Sequence, residues 1–228
     1  MIRSPFVMNK EVPVKRSLLS TSLLYGAALI LTSAAGCAGK GELKQFDLHA
    51  KPASAASAGT EPVKIVIVPF EDRRADKARL GSRTHLGGGF THFDVTSGRP
   101  ADVIAQVLVN RLQSQGWGGR AWDVQLSRDG SAADADIVIS GQVGEFSANA
   151  KSRWFSTVIN AKNRLEIQAK NSADSSTTTR TIENARTRTV FWFDEEDVRE
   201  LLADTLNDGL DRLIADTKIV EKALKPVR

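Results

Sequence analysis

The 228-residue chain has little cysteine, little net charge and no long apolar run beyond its N-terminal region. Its one cysteine, Cys37, has no second thiol to pair with, so an intrachain disulfide is excluded. No later apolar stretch approaches the roughly 20 residues that a membrane-spanning helix needs. The chain beyond Cys37 is therefore predicted to have neither a disulfide scaffold nor a transmembrane helix.

The excess of positive charge belongs to the N-terminal region. The whole chain has 31 Lys and Arg against 27 Asp and Glu, and its first 36 residues contain four of the basic residues and one of the acids. What remains has 27 basic and 26 acidic residues, a net charge of +1. Nucleic-acid binding needs a basic face, so this near-neutral balance predicts no nucleic-acid partner.

The region from Ser17 to Cys37 has the organisation of an export signal. Four basic residues precede an apolar run, Leu23 to Leu31, that is too short to span a bilayer. Small residues then lead up to Cys37, and the letters AAGC resemble the lipobox of bacterial lipoproteins. In those proteins the peptide is cut before the cysteine, whose thiol and new amino group are acylated. Residues 1–36 are therefore predicted to be a lipoprotein signal peptide.

Acylation at Cys37 would give a permanent lipid anchor, because each buried methylene contributes about 0.8 kcal/mol and several chains act together. The alternative is a buried or disulfide-bonded cysteine. In a host with two membranes, Ala38 in place of Asp after Cys37 resembles lipoproteins that are exported to the outer membrane. The predicted location is the outer membrane, with the protein anchored in lipid and facing the periplasm.

Residues 37–61 are rich in glycine, proline, alanine and serine and are predicted to be a flexible tether that carries the lipidated cysteine. Such a tether has a root-mean-square span of roughly 25 to 30 Å, which would hold the folded part clear of the lipid surface. The exception is Leu43 to Leu48, where Phe46 and Leu48 alternate with polar residues and can add an edge strand. Residues 62–228 are predicted to form a single α+β periplasmic domain.

The predicted domain alternates between strand and helix patterns. It opens at Val63 with VKIVIVPF, which is typical of a buried strand. The polar, glycine-rich stretch that follows, residues 71–99, has no helical period and is predicted to be a long loop. Helices are predicted from Pro100 to a stop at Gly116, and from a cap at Asp194.

A long β-hairpin is the clearest pattern. Thr157 and apolar residues occupy odd positions from Phe155 to Ala169, and only Val158 and Asn163 break the alternation. The Thr-rich segment from Thr177 to Phe191 is predicted to return antiparallel to them. Shorter strands are predicted around residues 122–126 and 137–146. The predicted fold class is α+β, a mixed or antiparallel sheet with a long β-hairpin and two helices packed on one face.

Three segments carry a family resemblance: Ile65 to Arg83, with a strand, an Asp-Arg turn and a Gly-x-Arg; the helix that ends at Leu112 before Gly116-Trp117; and Ala135 to Val143. Behind a lipobox, these segments resemble the YajG-like family of bacterial envelope lipoproteins, which have no assigned biochemical activity. The layout also looks like the small α+β domain of envelope assembly lipoproteins, including auxiliary lipoproteins of lipid transporters. Those relatives act by binding, so the resemblance implies a non-catalytic role.

Candidates for catalysis or metal binding are sparse. His85, His92 and Asp94 fall in the predicted loop, but the histidines are seven positions apart and no HxxxH or HxH spacing occurs. The glycines at 87–89 lack the Gly-Lys-Ser/Thr ending of a phosphate-binding loop. We therefore predict no metal, no cofactor and no catalytic residue. The alternative is a hydrolase or a metal enzyme.

The predicted loop is the candidate partner site, because a long polar loop in a compact domain is usually functional or disordered. Its arginines and acids form a mixed-charge surface suited to a polar partner, and Asp72, Arg73 and Arg83 are the predicted contact residues. The alternative is that Asp72 and Arg83 make a salt bridge or turn bonds that order the loop. Aromatic residues at 154–155 and 191–193 are predicted to pack in the core or at an edge rather than to form a binding face.

These features together predict a membrane-anchored periplasmic lipoprotein that is a non-catalytic binding or assembly component of the bacterial envelope, with an envelope protein as partner. An auxiliary lipoprotein of a lipid or ABC-type transport system is the alternative. An apolar pocket would favour lipid handling, a flat aromatic-rimmed surface would favour a protein partner, and clustered His and Asp would favour chemistry.

Overall fold

The computed structural model describes residues 40–48, 57–58, 63–96, 98–117, 120–121, 123–127, 132 and 134–227. The chain divides into two compact units, Met1–Cys37 and Ala38–Arg228, and every described residue belongs to the second. The predicted signal peptide, the predicted acylation site Cys37 and part of the predicted tether lie outside the described residues.

The described elements follow one another along the chain. They are the strands β1 (Lys40–Phe46), β2 (Ser57–Ala58), β3 (Lys64–Ile67), β4 (Glu71–Asp72), β5 (Gly81–Thr84) and β6 (Phe90–Val95), the helix α1 (Pro100–Gln115), the strands β7 (Arg120–Ala121), β8 (Asp123–Leu126), β9 (Ile137–Ser152), β10 (Thr157–Asn171) and β11 (Thr177–Val190), the helix α2 (Glu195–Ala215), and the strands β12 (Thr217–Val220) and β13 (Ala223–Pro226).

One mixed sheet organises the described part of the chain. Its main order is β1-β6-β5-β9-β10-β11, and β3 and β4 also pair with β9, with β8 beside β3. The strands β9, β10 and β11 form an antiparallel meander, whereas β3, β4 and β5 run parallel to β9, and β1 runs parallel to β6. Two further pairs lie outside this sheet, antiparallel β12–β13 and parallel β2–β7. The α+β class with a mixed sheet is confirmed.

The predicted long hairpin is confirmed as β10 and β11, which pair without interruption from Thr157 opposite Val190 to Lys170 opposite Thr177. Odd-numbered side chains of β10 are buried and even-numbered ones are partly or fully exposed. Asn163, the polar exception in the pattern, is buried with the apolar residues and donates to the backbone oxygen of Thr205 in α2 at 2.7 Å. Because its amide has a backbone hydrogen-bond partner, Asn163 can be buried, and the alternation of buried and exposed side chains along β10 is not interrupted.

Both helices cover the same face of the sheet, as predicted. The helix α2 packs its buried side on β10 and β11, and α1 packs against β8 and β9. The two helices meet at Arg111 of α1, whose Nη1 donates to Oδ1 of Asn207 in α2 at 3.1 Å. Among the described residues, neither helix is both long and apolar enough to cross a membrane.

The predicted helix ends are also confirmed. Pro100 begins α1, and Gly116 ends it in a left-handed conformation, with φ of 67°. Asp194 caps α2: its side chain accepts from the backbone N–H of Glu196 at 3.0 Å, while the Asp197 side chain accepts from the backbone N–H of Asp194 at 3.1 Å. Such reciprocal bonds satisfy amides that a helix N-terminus leaves without partners.

The prediction of one long loop over residues 71–99 is wrong, because this stretch contains β4, β5 and β6. The strands β5 and β6 form an antiparallel hairpin, and the glycine run is its turn, with φ of 88° at Gly88 and 83° at Gly89. In β6 the side chains of Thr91, Phe93 and Val95 are buried and alternate with partly or fully exposed neighbours. This strand was not predicted because its alternation runs for only six residues and includes the polar residues His92 and Asp94.

The prediction of a flexible tether over residues 37–61 is wrong for residues 40–48. The strand β1 pairs with β6 from Lys40 to Phe46, with one shift of register at Gly41, which confirms the predicted edge strand and extends it toward the N-terminus. Phe46 and Leu48 are buried, and the ring of Phe46 lies 6.3 Å from that of Phe93, centroid to centroid. The folded sheet thus begins at Lys40, well before the predicted boundary at residue 62.

Candidate functional site

A buried ion pair stands where the chain leaves β4. The Arg74 side chain is only 4% exposed and forms two parallel bonds with Asp72, from Nε to Oδ1 and from Nη2 to Oδ2, each 3.0 Å long. The backbone N–H of Arg74 also donates to Oδ1 of Asp72 at 3.0 Å. Asp72 is therefore held from three directions by one residue, two positions further along the chain.

The remaining donors of Arg74 fasten the following loop, residues 73–80, to the sheet. Its Nη1 donates to the backbone oxygen of Arg79 at 3.0 Å and approaches that of Phe146 in β9 at 3.5 Å, and its Nη2 approaches the backbone oxygen of Lys77 at 3.4 Å. The strands β4 and β5 both pair with β9 but leave a gap between Val143 and Ala148. The Arg74 guanidinium lies in this gap and replaces the missing strand contacts.

The environment keeps Asp72 ionised. Burial acts to raise its pKa, but hydrogen bonds from the side chain and backbone of Arg74, together with its charge, outweigh burial and lower the pKa below the usual aspartate value. General acid or base catalysis works best with a pKa near the working pH. Asp72 is therefore suited to holding the loop and not to transferring protons.

Arg73 lies on the surface beside this buried pair. Its Nη2 is 2.9 Å from Oε2 of Glu71, and both side chains are more than half exposed. The hydrogen bond that Arg73 donates to Glu71 raises the pKa of Arg73, and the same contact lowers the pKa of Glu71. Beyond Arg74, residues 75–79 are all exposed, so the loop 73–80 presents Asp76, Lys77 and Arg79 to solvent.

Arg83 lies in a different environment, on β5. Its Nε donates to Oγ of Ser152 at 2.9 Å, and its guanidinium carbon is 3.9 Å from the ring centroid of Phe193. Burial lowers the pKa of Arg83, and the charge of Glu195 opposes this change. The three residues predicted to form a site are thus not brought together: Asp72 is tied to Arg74, Arg73 is exposed, and Arg83 supports an aromatic ring.

The two candidate histidines have separate partners. Nε2 of His85 is 2.8 Å from Oγ1 of Thr91, whereas both ring nitrogens of His92 lie within 2.9 Å of Nη1 of Arg79. Burial lowers the pKa of His85, as does the charge of Arg83. In the described part of the chain, no three His, Cys, Asp or Glu side chains are grouped so that they could hold a metal ion.

The aromatic residues of the long strands are mostly on the outside, so the predicted packing is wrong for four of them. Trp154, Phe155, Phe191 and Trp192 are 81%, 82%, 82% and 92% exposed. The first two form the turn between β9 and β10, and the others follow β11, beyond the pair of Thr157 and Val190. No described element covers them there, and we name these four residues the aromatic end of the sheet.

Phe193 is the exception. It is partly buried, stacks on Phe93 at 6.4 Å between centroids and carries Arg83 on its ring. The sequence alone does not show that Phe193 is partly buried whereas Trp192 is exposed, because the direction of each side chain depends on where β11 ends relative to α2.

Cavities adjoin these features. One of about 370 Å³ lies beside the loop 73–80 and is lined by residues that include Asp76, Arg79 and Phe146. Another of about 360 Å³ lies between β1 and α1, and its lining mixes Phe46, Leu48 and other apolar residues with polar ones. The cavity beside the loop 73–80 gives this loop a concave neighbour.

Sequence reasoning overlooked two buried arginines. It treated Arg74 as one of several loop cations, although its spacing of two from Asp72 is the signal of a turn that such a pair can close. It also assigned no role to Arg111, which is buried between the helices and contacts Asn207 and Asp211. Buried guanidinium groups with such partners are structural anchors.

Comparisons with known proteins add a family and several remote structures. A family model described as uncharacterized lipoprotein matches residues 51–223. A search of curated proteins found no match. Among solved structures, protein XCC0632 from Xanthomonas campestris is 14% identical, with 75% of this chain and 91% of that chain covered and a TM-score of 0.45.

Two other solved structures are also similar to this chain at low sequence identity. A putative neuraminyllactose-binding hemagglutinin homolog from Helicobacter pylori is 8% identical, with 78% and 94% of the two chains covered and a TM-score of 0.44. A minor lipoprotein from Acinetobacter baumannii is 13% identical, with 67% and 91% covered and a TM-score of 0.35.

Proposed function

The chain belongs to this family of uncharacterized lipoproteins, the YajG family, and on that premise we propose that it is a non-catalytic binding or assembly component of the bacterial cell envelope. Acyl chains on Cys37 anchor it in the outer membrane, where it faces the periplasm. Its partner is another protein of the envelope, which it contacts through the loop 73–80.

The observation that carries the proposal is the way in which Arg74 holds this loop. An exposed loop of seven or eight residues ordinarily loses conformational entropy when a partner binds, and that loss weakens binding. Here the bonds of Arg74 to Asp72, Lys77 and Arg79 have ordered the loop in advance. Rigid presentation of exposed polar side chains is the property of a recognition loop on a scaffold.

The charges of the loop indicate the chemistry of the partner. Arg73, Lys77 and Arg79 are exposed together with Asp76, so the surface has both signs with a basic excess. Such a surface suits a polar protein face with complementary, mainly acidic groups, and it would give that partner orientation and a faster association rate.

The three residues predicted from the sequence have distinct roles in this proposal. Arg73 contacts the partner, since it is exposed and its surface pair with Glu71 contributes only about 0 to 1 kcal/mol to stability. Asp72 is a positioning residue, which acts through Arg74. Arg83 belongs to the neighbouring surface, where it supports Phe193.

Site-specific crosslinking in cells tests the proposal. A photoreactive amino acid at Lys77 of the full chain should form an adduct with one envelope protein, and the adduct should be lost with Arg73→Glu, while the unfolding transition stays unchanged. Lys162 of β10 is also exposed and is the matched control position. Adducts that form equally at both positions, or that persist with Arg73→Glu, would show that the loop is not the partner site.

A further inference from the structure

Exposed apolar side chains are concentrated at one end of the sheet. The described residues include nine large apolar side chains that are exposed, and six of them belong to the aromatic end or to the turn between β5 and β6. The two in that turn region are Leu86 and Phe90, which are 51% and 49% exposed. We name the aromatic end together with Leu86 and Phe90 the apolar rim.

Strand register shows that the apolar rim is continuous with the start of the sheet. Thr84 pairs with Lys151 of β9 on one side and with Phe90 of β6 on the other. Phe90 in turn pairs with Lys40, the first residue of β1. The first residue of β1, the turn that holds Leu86 and the turn after Ser152 therefore all lie at the same end of the sheet.

The predicted lipid anchor is close to this end along the chain. Cys37 precedes Lys40 by three residues. A fully extended chain advances at most about 3.6 Å per residue, so the two Cα atoms cannot be more than about 11 Å apart. Acyl chains on Cys37 would therefore enter the bilayer within a short distance of the apolar rim.

Charged residues around the rim fit a phospholipid surface. Lys151 and Arg153 are exposed beside Trp154. The acids that follow Trp192 already have partners in the protein: Asp194 caps α2, Glu195 is 3.6 Å from Lys44, and Glu196 pairs with Arg199. Lys151 and Arg153 are thus exposed at this end, whereas the carboxylates of residues 194–196 are engaged with other groups.

We propose that the apolar rim docks into the interfacial layer of the membrane to which Cys37 is anchored, with Trp154 and Trp192 inserted and Lys151 and Arg153 at the level of the lipid phosphates. This inference rests on the acylation of Cys37 proposed above. Tryptophan favours the membrane interface because its ring is large and apolar while its N–H still finds a polar partner. Basic residues next to such rings add attraction to anionic lipids.

Membrane docking accounts for the shape of the rim better than a protein partner does. The six side chains extend along the edge of the sheet from the β5–β6 turn to the end of β11 and do not line one of the cavities described above. A protein interface gains most from a few anchors buried in pockets. A bilayer interface needs a row of apolar side chains at a common depth, and strand ends in register supply such a row.

Tryptophan quenching by brominated lipids tests the proposal on the full, lipidated protein. The protein is reconstituted into vesicles of phosphatidylcholine and phosphatidylglycerol whose acyl chains carry bromine. We expect quenching of the unmodified protein and its loss in the double variant Trp154→Phe/Trp192→Phe, which keeps Trp117 and Trp122. Val220→Trp in that double variant is the matched control, because it places a tryptophan on the β12–β13 hairpin.

That hairpin lies at the other end of the sheet. The backbone oxygen of Leu224, which pairs with Ile219, accepts from Asn171 at 3.1 Å, and Asn171 pairs with Ile137 at the start of β9. Quenching of the tryptophan at position 220, or none of Trp154 and Trp192, would overturn the docking proposal.

Mass spectrometry of the same sample separates this result from the proposed function. Acyl chains on Cys37 without quenching of the rim tryptophans would overturn docking and leave the anchor in place. An unmodified Cys37 would overturn the anchor and, with it, the docking that rests on it. A photoreactive amino acid at Phe155 gives a second readout: adducts with lipid support docking, and adducts with a protein alone contradict it.

Discussion

At the scale of single residues, Arg74 is the side chain on which the proposed recognition loop depends. Its guanidinium pairs with one carboxylate and reaches three backbone oxygens while almost fully removed from water. A buried charge in that position is tolerated only because each of its donors has an acceptor. Loss of either member of the pair leaves the other charge buried without compensation.

The first prediction is that Asp72→Ala lowers the free energy of unfolding by about 3 to 5 kcal/mol, because it leaves the Arg74 charge buried without its carboxylate partner. Denaturant titration of the purified protein measures the change. Glu71→Ala removes a carboxylate one position away whose partner, Arg73, is exposed, and it should cost no more than about 1 kcal/mol. Equal losses in the two variants would mean that the Asp72–Arg74 pair is not the element that holds the loop.

A second residue-scale prediction concerns pH and His85, whose pKa is lowered by burial and by the charge of Arg83. The unfolded chain has the ordinary histidine pKa of about 6.5, so between the two values it binds more protons than the folded protein. Stability from this group is complete above about pH 6.5 and falls as the pH drops toward the folded-state pKa.

Denaturant titrations at pH 7.5 and pH 5.5 on the unmodified protein and on His85→Gln measure this dependence. The unmodified protein should lose more stability at the lower pH than the variant does. Identical losses would show that His85 titrates alike in the folded and unfolded states.

Residue-scale predictions from the sequence succeeded where chemistry is local and failed where partners are distant in the chain. The cap at Asp194 was predictable because its hydrogen-bond partners, Glu196 and Asp197, lie within three residues. The environment of Arg83 was not, since Ser152 and Phe193 are brought to it only by the order of strands. The turn bonds expected of Asp72 do occur, but they come from Arg74.

At the scale of elements, β1 changes where the domain begins. It adds a parallel edge strand to β6, and Phe46 covers Phe93 beneath it. Its end is also joined to α2, because Lys44 lies 3.6 Å from Glu195. This strand is therefore part of the core and does not belong to a spacer.

We predict that a shortened chain beginning at Glu61 is less stable than one beginning at Ala38, because the former leaves Phe93 and Val95 uncovered. Thermal unfolding of the two chains provides the comparison. Phe46→Ala in the longer chain isolates the contribution of one side chain and should cost about 3 to 5 kcal/mol, the usual range for a buried phenylalanine. Equal melting temperatures for the two chains would show that residues 40–48 do not stabilise the domain and act only as a tether.

Close approach of α2 to β11 gives a further prediction at this scale. A Cβ on Gly209 would lie 2.7 Å from Cγ2 of Ile182 and 2.7 Å from Nδ2 of Asn184. Helix propensity favours Gly209→Ala by about 1 kcal/mol, but overpacking costs about 1 to 3 kcal/mol, so we expect net destabilisation. Denaturant titration should show it.

Ile182→Ala provides the control for Gly209→Ala. By itself it should destabilise, since Ile182 is buried. In its presence Gly209→Ala should cost less, because the space for the new methyl group has been opened, and the deviation from additivity measures the contact. A stabilising effect of Gly209→Ala in the unmodified background would show that the helix does not approach the sheet so closely.

The elements that the sequence predicted well are those with a long, uninterrupted period. The hairpin of β10 and β11 and both helices are examples, because each buries a regular stripe over many residues. The short strands β5 and β6 escaped prediction since four and six residues separated by glycines give too few repeats to distinguish a strand from a polar loop.

At the scale of the whole molecule, the sequence separates into a part that is predicted to direct location and a part that contains the described fold. The letters that predict export and acylation end at Cys37, and the described sheet begins at Lys40. The class of the fold followed from local patterns. The apolar rim could not be predicted, because it exists only once the ends of several strands are placed in register.

We predict that Cys37→Ala abolishes labelling of the protein by radioactive palmitate and removes the processed form from the outer-membrane fraction, because no other thiol is available for acylation. Ala38→Asp is the matched control. It should keep the label but move the protein to the inner membrane, if the residue after the cysteine directs sorting as proposed. Palmitate labelling of Cys37→Ala would contradict the assignment of Cys37 as the anchor.

The short distance between Cys37 and β1 also has a consequence for the order of events during biogenesis. Only Ala38 and Gly39 separate the cysteine from β1, whose pairing with β6 begins at Lys40. On the proposal that Cys37 is cleaved and acylated, the enzymes must reach a peptide bond only a few residues from this strand. We therefore expect maturation to precede the pairing of β1 with β6.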